Sequence, residues 1–203
     1  MTWVDGWLRP GYAVKSAIKI TLFLLLPLLA TRLFELTPLK TLLQIKKKGF
    51  LIALGLGVGL YGLILGGYFL VRPYFDFSNI AASLTANAGV TKDNFLFVSL
   101  YISFVNSLLE EFFFRGFVFG NLRCGGKWLS YGFSAAAFAL YHVAMMAGWF
   151  QPLLFLLVMV GLMAGGVIFN LLNEKLETLY GSWLVHMFAN FAINTIGFLL
   201  LSA

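Results

Sequence analysis

Residues 106–120 read NSLLEEFFFRGFVFG, and this stretch decides how the whole chain is interpreted. Two adjacent carboxylates, Glu110 and Glu111, and one guanidinium, Arg115, stand in a run of leucine and phenylalanine that is apolar enough to lie in lipid. A charge at the centre of a bilayer costs about 2.5–3.5 kcal/mol on insertion scales, so ionisable residues inside membrane segments usually have a function. The stretch therefore predicts a membrane helix that carries a functional site.

The composition also places the chain in a membrane. Of its 203 residues, 61% are hydrophobic and 11% are charged, whereas ordinary soluble domains contain about 25% charged residues. Such a chain cannot cover itself with polar surface, and its length suits one all-α, polytopic membrane helical bundle of about six transmembrane helices. The net charge of +6 comes from basic residues between apolar segments, where they contact anionic lipid. No nucleic-acid-binding pattern is present.

Apolar runs bounded by Pro, Gly and charged residues predict six membrane segments. They lie near 17–34, 49–71, 94–122, 128–147, 152–172 and 178–200. The third is long for one crossing, so we expect it to be strongly tilted or broken near Gly116 or Gly120. We also expect a helix lying in the membrane interface within 34–49 and a short interfacial element near 78–90.

The distribution of basic residues predicts the orientation of the chain. Eight Lys and Arg residues lie in the odd-numbered loops and five on the opposite side. Because cytoplasmic loops carry the excess of Lys and Arg, we expect the odd-numbered loops inside and both termini outside. The first segment has a basic flank and a short apolar core, like a signal peptide, and we predict that it is retained as a membrane helix.

Glycine spacing predicts where the helices pack closely. Small residues four positions apart let two helices approach, and three pairs have this spacing: Gly55/Gly59, Gly62/Gly66 and Gly161/Gly165.

Few ionisable residues lie inside the predicted membrane helices, and their spacing suggests different roles for Glu110 and Glu111. Of eight acidic residues, only Glu110 and Glu111 lie within an apolar run, and the two histidines, His142 and His186, are both in membrane segments. Glu111 and Arg115 are four residues apart with the acid first, which favours an ion pair. Glu110 is rotated about 100° from Glu111 and therefore stays available as a general base.

Two further pairs have the same helical spacing. His186 and Asn190 share one face of a helix, and Phe138 can pack beside His142. The set then contains a base, two imidazoles and an amide from three helices. No serine or cysteine nucleophile stands in a recognisable arrangement, so we expect water to be the attacking group. We interpret the set as a functional site rather than as a buried ion pair with packing histidines.

These residues, in this order, resemble the CPBP family, which comprises type II CAAX prenyl proteases and bacteriocin-processing enzymes and is also called the Abi family. Its motifs Glu-Glu-x-x-x-Arg, Phe-x-x-x-His and His-x-x-x-Asn stand here at 110–115, 138–142 and 186–190. The resemblance covers about 94–198. It divides the single bundle into N-terminal membrane helices with an interfacial segment, 1–93, and a CPBP-like catalytic core, 94–203.

The resemblance implies an intramembrane endopeptidase that cleaves a peptide or membrane-associated protein near the membrane, with CAAX-type or bacteriocin-like peptides as the substrate classes. It implies a multi-pass protein of a prokaryotic cell membrane. Glu110 would activate water, and His142 would assist it. His186 and Asn190 would stabilise the tetrahedral oxyanion, while Glu111, paired with its arginine, would hold the site together.

The sequence is compatible with a site that binds a metal ion and with one that does not. His142, His186 and Glu110 could provide three ligands to zinc, with water in the fourth position. Against this, the chain has no His-Glu-x-x-His motif, and the two histidines lie on separate helices. We favour a glutamate mechanism without a metal and keep one divalent ion as the alternative.

Two non-proteolytic functions also remain open. The same fold could serve as a bacteriocin self-immunity protein or a membrane scaffold, and protection that survives Glu110→Gln would favour that function. A proton-coupled transporter also uses paired glutamates and histidines. It would ordinarily have inverted repeats, and none is visible in the sequence.

Overall fold

The structure, a computed structural model, describes residues 12–36, 43–44, 49–88, 90–146 and 148–202, and all regular structure in this part of the chain is helical. Seven helices follow one another in this part. They are α1 (Tyr12–Ile20, Thr21–Leu25 and Leu26–Leu33 in succession), α2 (Phe50–Val71), α3 (Ser78–Ala88), α4 (Phe95–Gly125), α5 (Lys127–Met146), α6 (Pro152–Leu176) and α7 (Leu179–Ser202).

Five of these helices are long and apolar enough to cross a membrane: α1 over Val14–Leu33, and α2, α4, α6 and α7. The all-α, multi-pass membrane fold predicted from the sequence is therefore confirmed. The short helix α3 corresponds to the element predicted near 78–90. Most of the predicted interfacial helix at 34–49 lies outside the described residues.

The fourth predicted segment forms helix α5, but α5 is not among the five candidate spans. Its sequence, KWLSYGFSAAAFALYHVAMM, contains two serines, two tyrosines, a tryptophan and a histidine. These side chains lower the hydropathy of the helix, although its length would suffice to cross the hydrocarbon.

The long helix α4 is not broken at Gly116 or Gly120, as the sequence had suggested. It continues through both residues and contains two π-helical runs instead, Tyr101–Asn106 and Phe112–Phe119. π-helical turns are rare and occur frequently at functional sites. The two runs stand immediately before and after the turn of α-helix that carries Glu110.

Helix α7 packs antiparallel against α4 through polar side chains that bond to the α4 backbone. Trp183, near the start of α7, donates to the carbonyl of Phe104 at 3.1 Å, and Asn194, further along, donates to that of Ser99 at 3.3 Å. Polar groups in lipid need partners within the protein. These bonds therefore fix the register of the two helices that carry most of the predicted site.

The glycine pairs predicted for helix packing are not contact points in the described part of the chain. A Cβ added at any of six glycines would meet no atom within 4 Å: Gly55, Gly59, Gly62, Gly66, Gly161 and Gly165. The close approaches lie at neighbouring positions. A Cβ on Gly57 would lie 2.6 Å from the ring of Phe188, and one on Gly166 would lie 2.9 Å from Cα of Ala135. Because adjacent helical residues differ by 100° in direction, spacing alone did not select the packed face.

Candidate active site

The carboxylate of Glu110 is the point at which four helices meet. Its Oε1 accepts hydrogen bonds from Nδ2 of Asn106 on α4, at 2.8 Å, and from Nζ of Lys19 on α1, at 2.6 Å. Its Oε2 lies 3.7 Å from Nε2 of His142 on α5 and 3.6 Å from Nε2 of His186 on α7. The structure thus brings the predicted base and both predicted imidazoles together.

Hydrogen bonds at Nδ1 fix the orientation of both imidazoles. Nδ1 of His142 lies 2.8 Å from the carbonyl oxygen of Phe138, and Nδ1 of His186 lies 2.9 Å from Oε1 of Glu111. Both partners are acceptors, so we assign the hydrogen to Nδ1 in each ring. In the neutral rings Nε2 then presents a lone pair towards Oε2 of Glu110.

Glu111 is neutralised within α4 and has partners that differ from those of Glu110. Its Oε1 lies 3.2 Å from Nη1 of Arg115, which confirms the predicted pairing of these two residues. The Arg115 side chain is fully buried, with its guanidinium carbon 4.2 Å from the ring centre of Phe138 and 4.9 Å from that of Phe169. A planar guanidinium stacks well on aromatic faces. The Glu111–Arg115 pair is therefore held in place, and through Glu111 it orients His186.

Aromatic rings pack against both imidazoles. Phe138 contacts His142 at a centroid distance of 4.7 Å, as its spacing predicted, and Phe169 stacks on His186 at 5.2 Å with the ring planes 19° apart. Phe169 carries no polar group and belongs to none of the three motifs, so sequence reasoning missed it. Its contact with a site histidine becomes visible only when α6 is placed beside α7.

Asn190 lies on the predicted helix face but has a different partner. Its Nδ2 donates to the carbonyl of Ile102 at 3.2 Å, two turns before Glu110 on α4. The described hydrogen bond of Asn190 thus goes to the helix backbone and not to the carboxylates or imidazoles. Its role in stabilising an oxyanion stays a prediction.

Two side chains bonded to Glu110 were not singled out in the sequence. Asn106 stands four residues before Glu110, and this helical spacing could have predicted the hydrogen bond between the two side chains. In the sequence, Lys19 looks like one of the basic residues that flank the first apolar run. Its contact with Glu110 is revealed only by the packing of α1 against α4, which leaves the Lys19 side chain 6% exposed. Lys19 and Arg115 balance the charges of Glu110 and Glu111.

The described residues do not fit a metal centre. Among them, no three His, Cys, Asp or Glu side chains form a group that could hold a metal ion. A divalent ion bound to Glu110 and the histidines would also stand next to the ammonium group of Lys19, which contacts the same carboxylate at 2.6 Å. Two like charges sharing one buried carboxylate repel each other.

A groove of about 600 Å³ lies elsewhere, between α2, α7 and the start of α4. Its lining is mostly apolar and aromatic, with Tyr61, Lys92 and Asn194 among the polar members. None of the predicted site residues lines this groove, and Glu110 is 1% exposed. The candidate site is therefore the buried cluster around Glu110 and not the groove.

Residues 92–192 match the family model described as type II CAAX prenyl endopeptidase Rce1-like. The chain belongs to this family. The matched half runs from the residues before α4 to the part of α7 that carries His186 and Asn190, and it leaves α1 outside. Membership in the Rce1-like family, a CPBP family, implies an intramembrane protease and does not specify the substrate. No match is found among curated proteins or among solved structures.

Proposed function

We propose that this Rce1-like protein is a glutamate-dependent intramembrane endopeptidase in which Glu110 activates the attacking water. The observation that carries the proposal is the position of Oε2 of Glu110, 3.7 Å and 3.6 Å from Nε2 of His142 and His186. A water molecule between these acceptor atoms can donate its two hydrogens to two of them, Oε2 of Glu110 and one imidazole Nε2. Family membership supports proteolysis, and the assignment of each residue is our own.

In the proposed reaction, water attacks the carbonyl carbon of the scissile bond while Oε2 of Glu110 takes its proton. His142 holds the same water through Nε2. Glu110 then returns the proton to the amine nitrogen as the C–N bond breaks, so the products are a carboxylic acid and an amine, and the acid then passes its proton to the amine to give a carboxylate and an ammonium group. The base regains its charge, and one water is consumed per bond.

The oxyanion formed in the first step needs hydrogen-bond donors. His186 can donate from Nε2 only in its doubly protonated form, because Nδ1 already donates to Glu111. Asn190 can contribute only the second hydrogen of its amide, because the first is donated to Ile102. A donor of this kind contributes about 2.7–4 kcal/mol to transition-state stabilisation in other hydrolases.

We propose a peptide or membrane-associated protein as substrate, approaching from lipid or from the inner face. The substrate classes are CAAX-type and bacteriocin-like peptides, which the family's two groups of enzymes process, and we propose a prokaryotic cell membrane as the location.

Glu110→Gln tests the proposal directly, because glutamine keeps the size of the side chain and cannot accept the proton from water. We expect cleavage to fall by roughly 10²–10⁴-fold, the contribution that proton transfer by a positioned side chain makes in other enzymes. The measurement uses purified protein in detergent and a panel of fluorogenic peptides, prenylated and unmodified.

The matched control is Glu35→Gln, which makes the same chemical change at an exposed position just after α1. We expect it to cleave like the wild type. Equal activity in Glu110→Gln and Glu35→Gln, with both proteins folded, contradicts the proposal. It would favour a binding or immunity function on the same fold.

A chelator provides an independent test of the metal-free mechanism. We expect cleavage to survive dialysis against EDTA and 1,10-phenanthroline, because the described residues provide no three-ligand group. Elemental analysis of the active protein should find less than one metal ion in ten molecules. Loss of cleavage on chelation with recovery on adding Zn²⁺ would replace the base mechanism by a zinc mechanism.

A further inference from the structure

We propose that Lys19 is a positioning residue that pairs with one carboxylate oxygen of Glu110 and directs the second oxygen at the histidines; this rests on the proposed function. Lys19 lies on α1, outside the residues 92–192 that match the family. The inference therefore adds to the site a helix that the family motifs do not include.

The geometry of Glu110 shows what Lys19 does. Nζ of Lys19 donates to Oε1 of Glu110 at 2.6 Å and also to Oδ1 of Asn106. Nδ2 of Asn106 donates to the same Oε1 at 2.8 Å. These three side chains form a closed set of hydrogen bonds on one carboxylate oxygen. Rotation of the carboxylate would break two of the bonds, so Oε2 stays directed towards the imidazoles.

The charge of Lys19 matters because Glu110 is buried in a membrane helix. A buried carboxylate is costly unless a cation pairs with it, and Nζ of Lys19 lies 2.6 Å from Oε1 of Glu110. Arg115 makes its described ion pair with Glu111. Among the described residues, Lys19 is the lysine or arginine that contacts Glu110.

Aromatic packing holds Lys19 in this position. Its Nζ lies 4.9 Å from the ring centre of Tyr141 and 5.4 Å from that of Phe23, distances at which a cation is attracted to a ring face. Phe23, one turn further along α1, stacks on Phe113 at 4.5 Å and meets Phe114 edge-on at 5.6 Å. Helix α1 is thus anchored beside Glu110 by contacts that do not depend on the ion pair.

Lys19→Met tests the role, because methionine fills a similar volume without charge. We expect kcat for the fluorogenic peptides to fall by about 100-fold, the scale of loss when a reacting group is misplaced. We expect KM to change less than threefold, because Lys19 contacts the base and not the substrate. Lys19→Arg keeps the charge and should recover at least a tenth of the wild-type kcat.

Lys15→Met is the matched control, since it removes the same charge one turn earlier on α1 from a less buried side chain. We expect it to retain wild-type kcat. A wild-type kcat in Lys19→Met, or equal kcat values in Lys19→Met and Lys19→Arg, would overturn the proposal. If Glu110→Gln cleaves normally, the proposed function itself has failed.

A double-mutant cycle on thermal unfolding tests the contact without using activity. Lys19→Met leaves a charged partner unpaired, so we expect its unfolding midpoint in detergent to fall. We expect the double variant Lys19→Met/Glu110→Gln to unfold above Lys19→Met, and this holds even if the single variant is too unstable for kinetics. Additive losses in the double variant would overturn the pairing of Lys19 with Glu110.

Discussion

Arg115 shows how a single residue keeps its charge inside the bundle. Its side chain is fully buried, and only Nη1 reaches a carboxylate, at 3.2 Å from Glu111. The remaining compensation comes from the faces of Phe138 and Phe169. Lysine could not replace it, because an ammonium group is compact, strongly hydrated and unable to stack over two rings at once.

We expect Arg115→Met to lower the free energy of unfolding by about 3–5 kcal/mol, because it leaves the Glu111 carboxylate buried without its cation. Removing both charges, in Glu111→Gln/Arg115→Met, should recover part of that loss. The unfolding midpoints of the three variants in detergent provide the measurement. A double variant that is less stable than Arg115→Met would contradict the account.

Four-residue spacing predicted the contacts within one helix, and the scarcity of polar groups in the membrane segments predicted that Glu110, His142 and His186 converge. Glu111 with Arg115 and Phe138 with His142 follow from four-residue spacing, and both contacts are present. Lys19 was not predicted, because its contact with Glu110 depends on how α1 and α4 are rotated against each other. A single sequence contains spacing within a helix, but it does not specify which faces of two distant helices meet.

At the scale of elements, α4 supplies Asn106, Glu110, Glu111 and Arg115 to the site, and its path is not that of a regular α-helix. Its two π-helical runs flank Glu110, and α1 has a third run, Thr21–Leu25, directly after Lys19. A π-helical turn contains one more residue than an α-turn. Each run therefore changes the direction in which the following side chains point, and helical spacing alone cannot anticipate this change.

The contact between α5 and α6 permits a sharp test at two adjacent glycines. A Cβ at Gly166 would lie 2.9 Å from Cα of Ala135, whereas one at Gly165 would meet nothing within 4 Å. We expect Gly166→Ala to destabilise the protein by roughly 1–3 kcal/mol through overpacking. We expect Gly165→Ala to be neutral or slightly stabilising, since alanine is the better helix former. Equal unfolding midpoints in the two variants would show that α5 and α6 do not pack this closely.

At the scale of the whole molecule, ion pairs connect the third and fifth loops, both of which are predicted to lie on the inner side of the membrane. Arg123 and Lys127, on either side of the turn between α4 and α5, lie 3.5 Å and 3.4 Å from the carboxylate of Glu174 near the end of α6. The third and fifth loops are therefore on the same side of the bundle. This arrangement agrees with the orientation predicted from the basic residues, whose absolute direction stays a prediction.

Cys124 can report that direction, because it is the single cysteine of the chain and is exposed in the last turn of α4. We expect a membrane-impermeant maleimide to leave it unlabelled in intact cells and to label it in inverted vesicles. The control, Asn79→Cys in a Cys124→Ser background, places the thiol on α3, between the end of α2 and the start of α4, and should show the reverse pattern. Labelling of Cys124 from outside would invert the predicted orientation.

The pairing of α1 with α4 also constrains how the protein is made. Lys19 and Glu110 are 91 positions apart, so α1 emerges from the ribosome long before its counter-ion has been translated. Lys19 lies in the first third of the span Val14–Leu33, and an unpaired charge inside a membrane segment is costly. We therefore expect α1 to gain stability in the bilayer when α4 has been made and packs beside it.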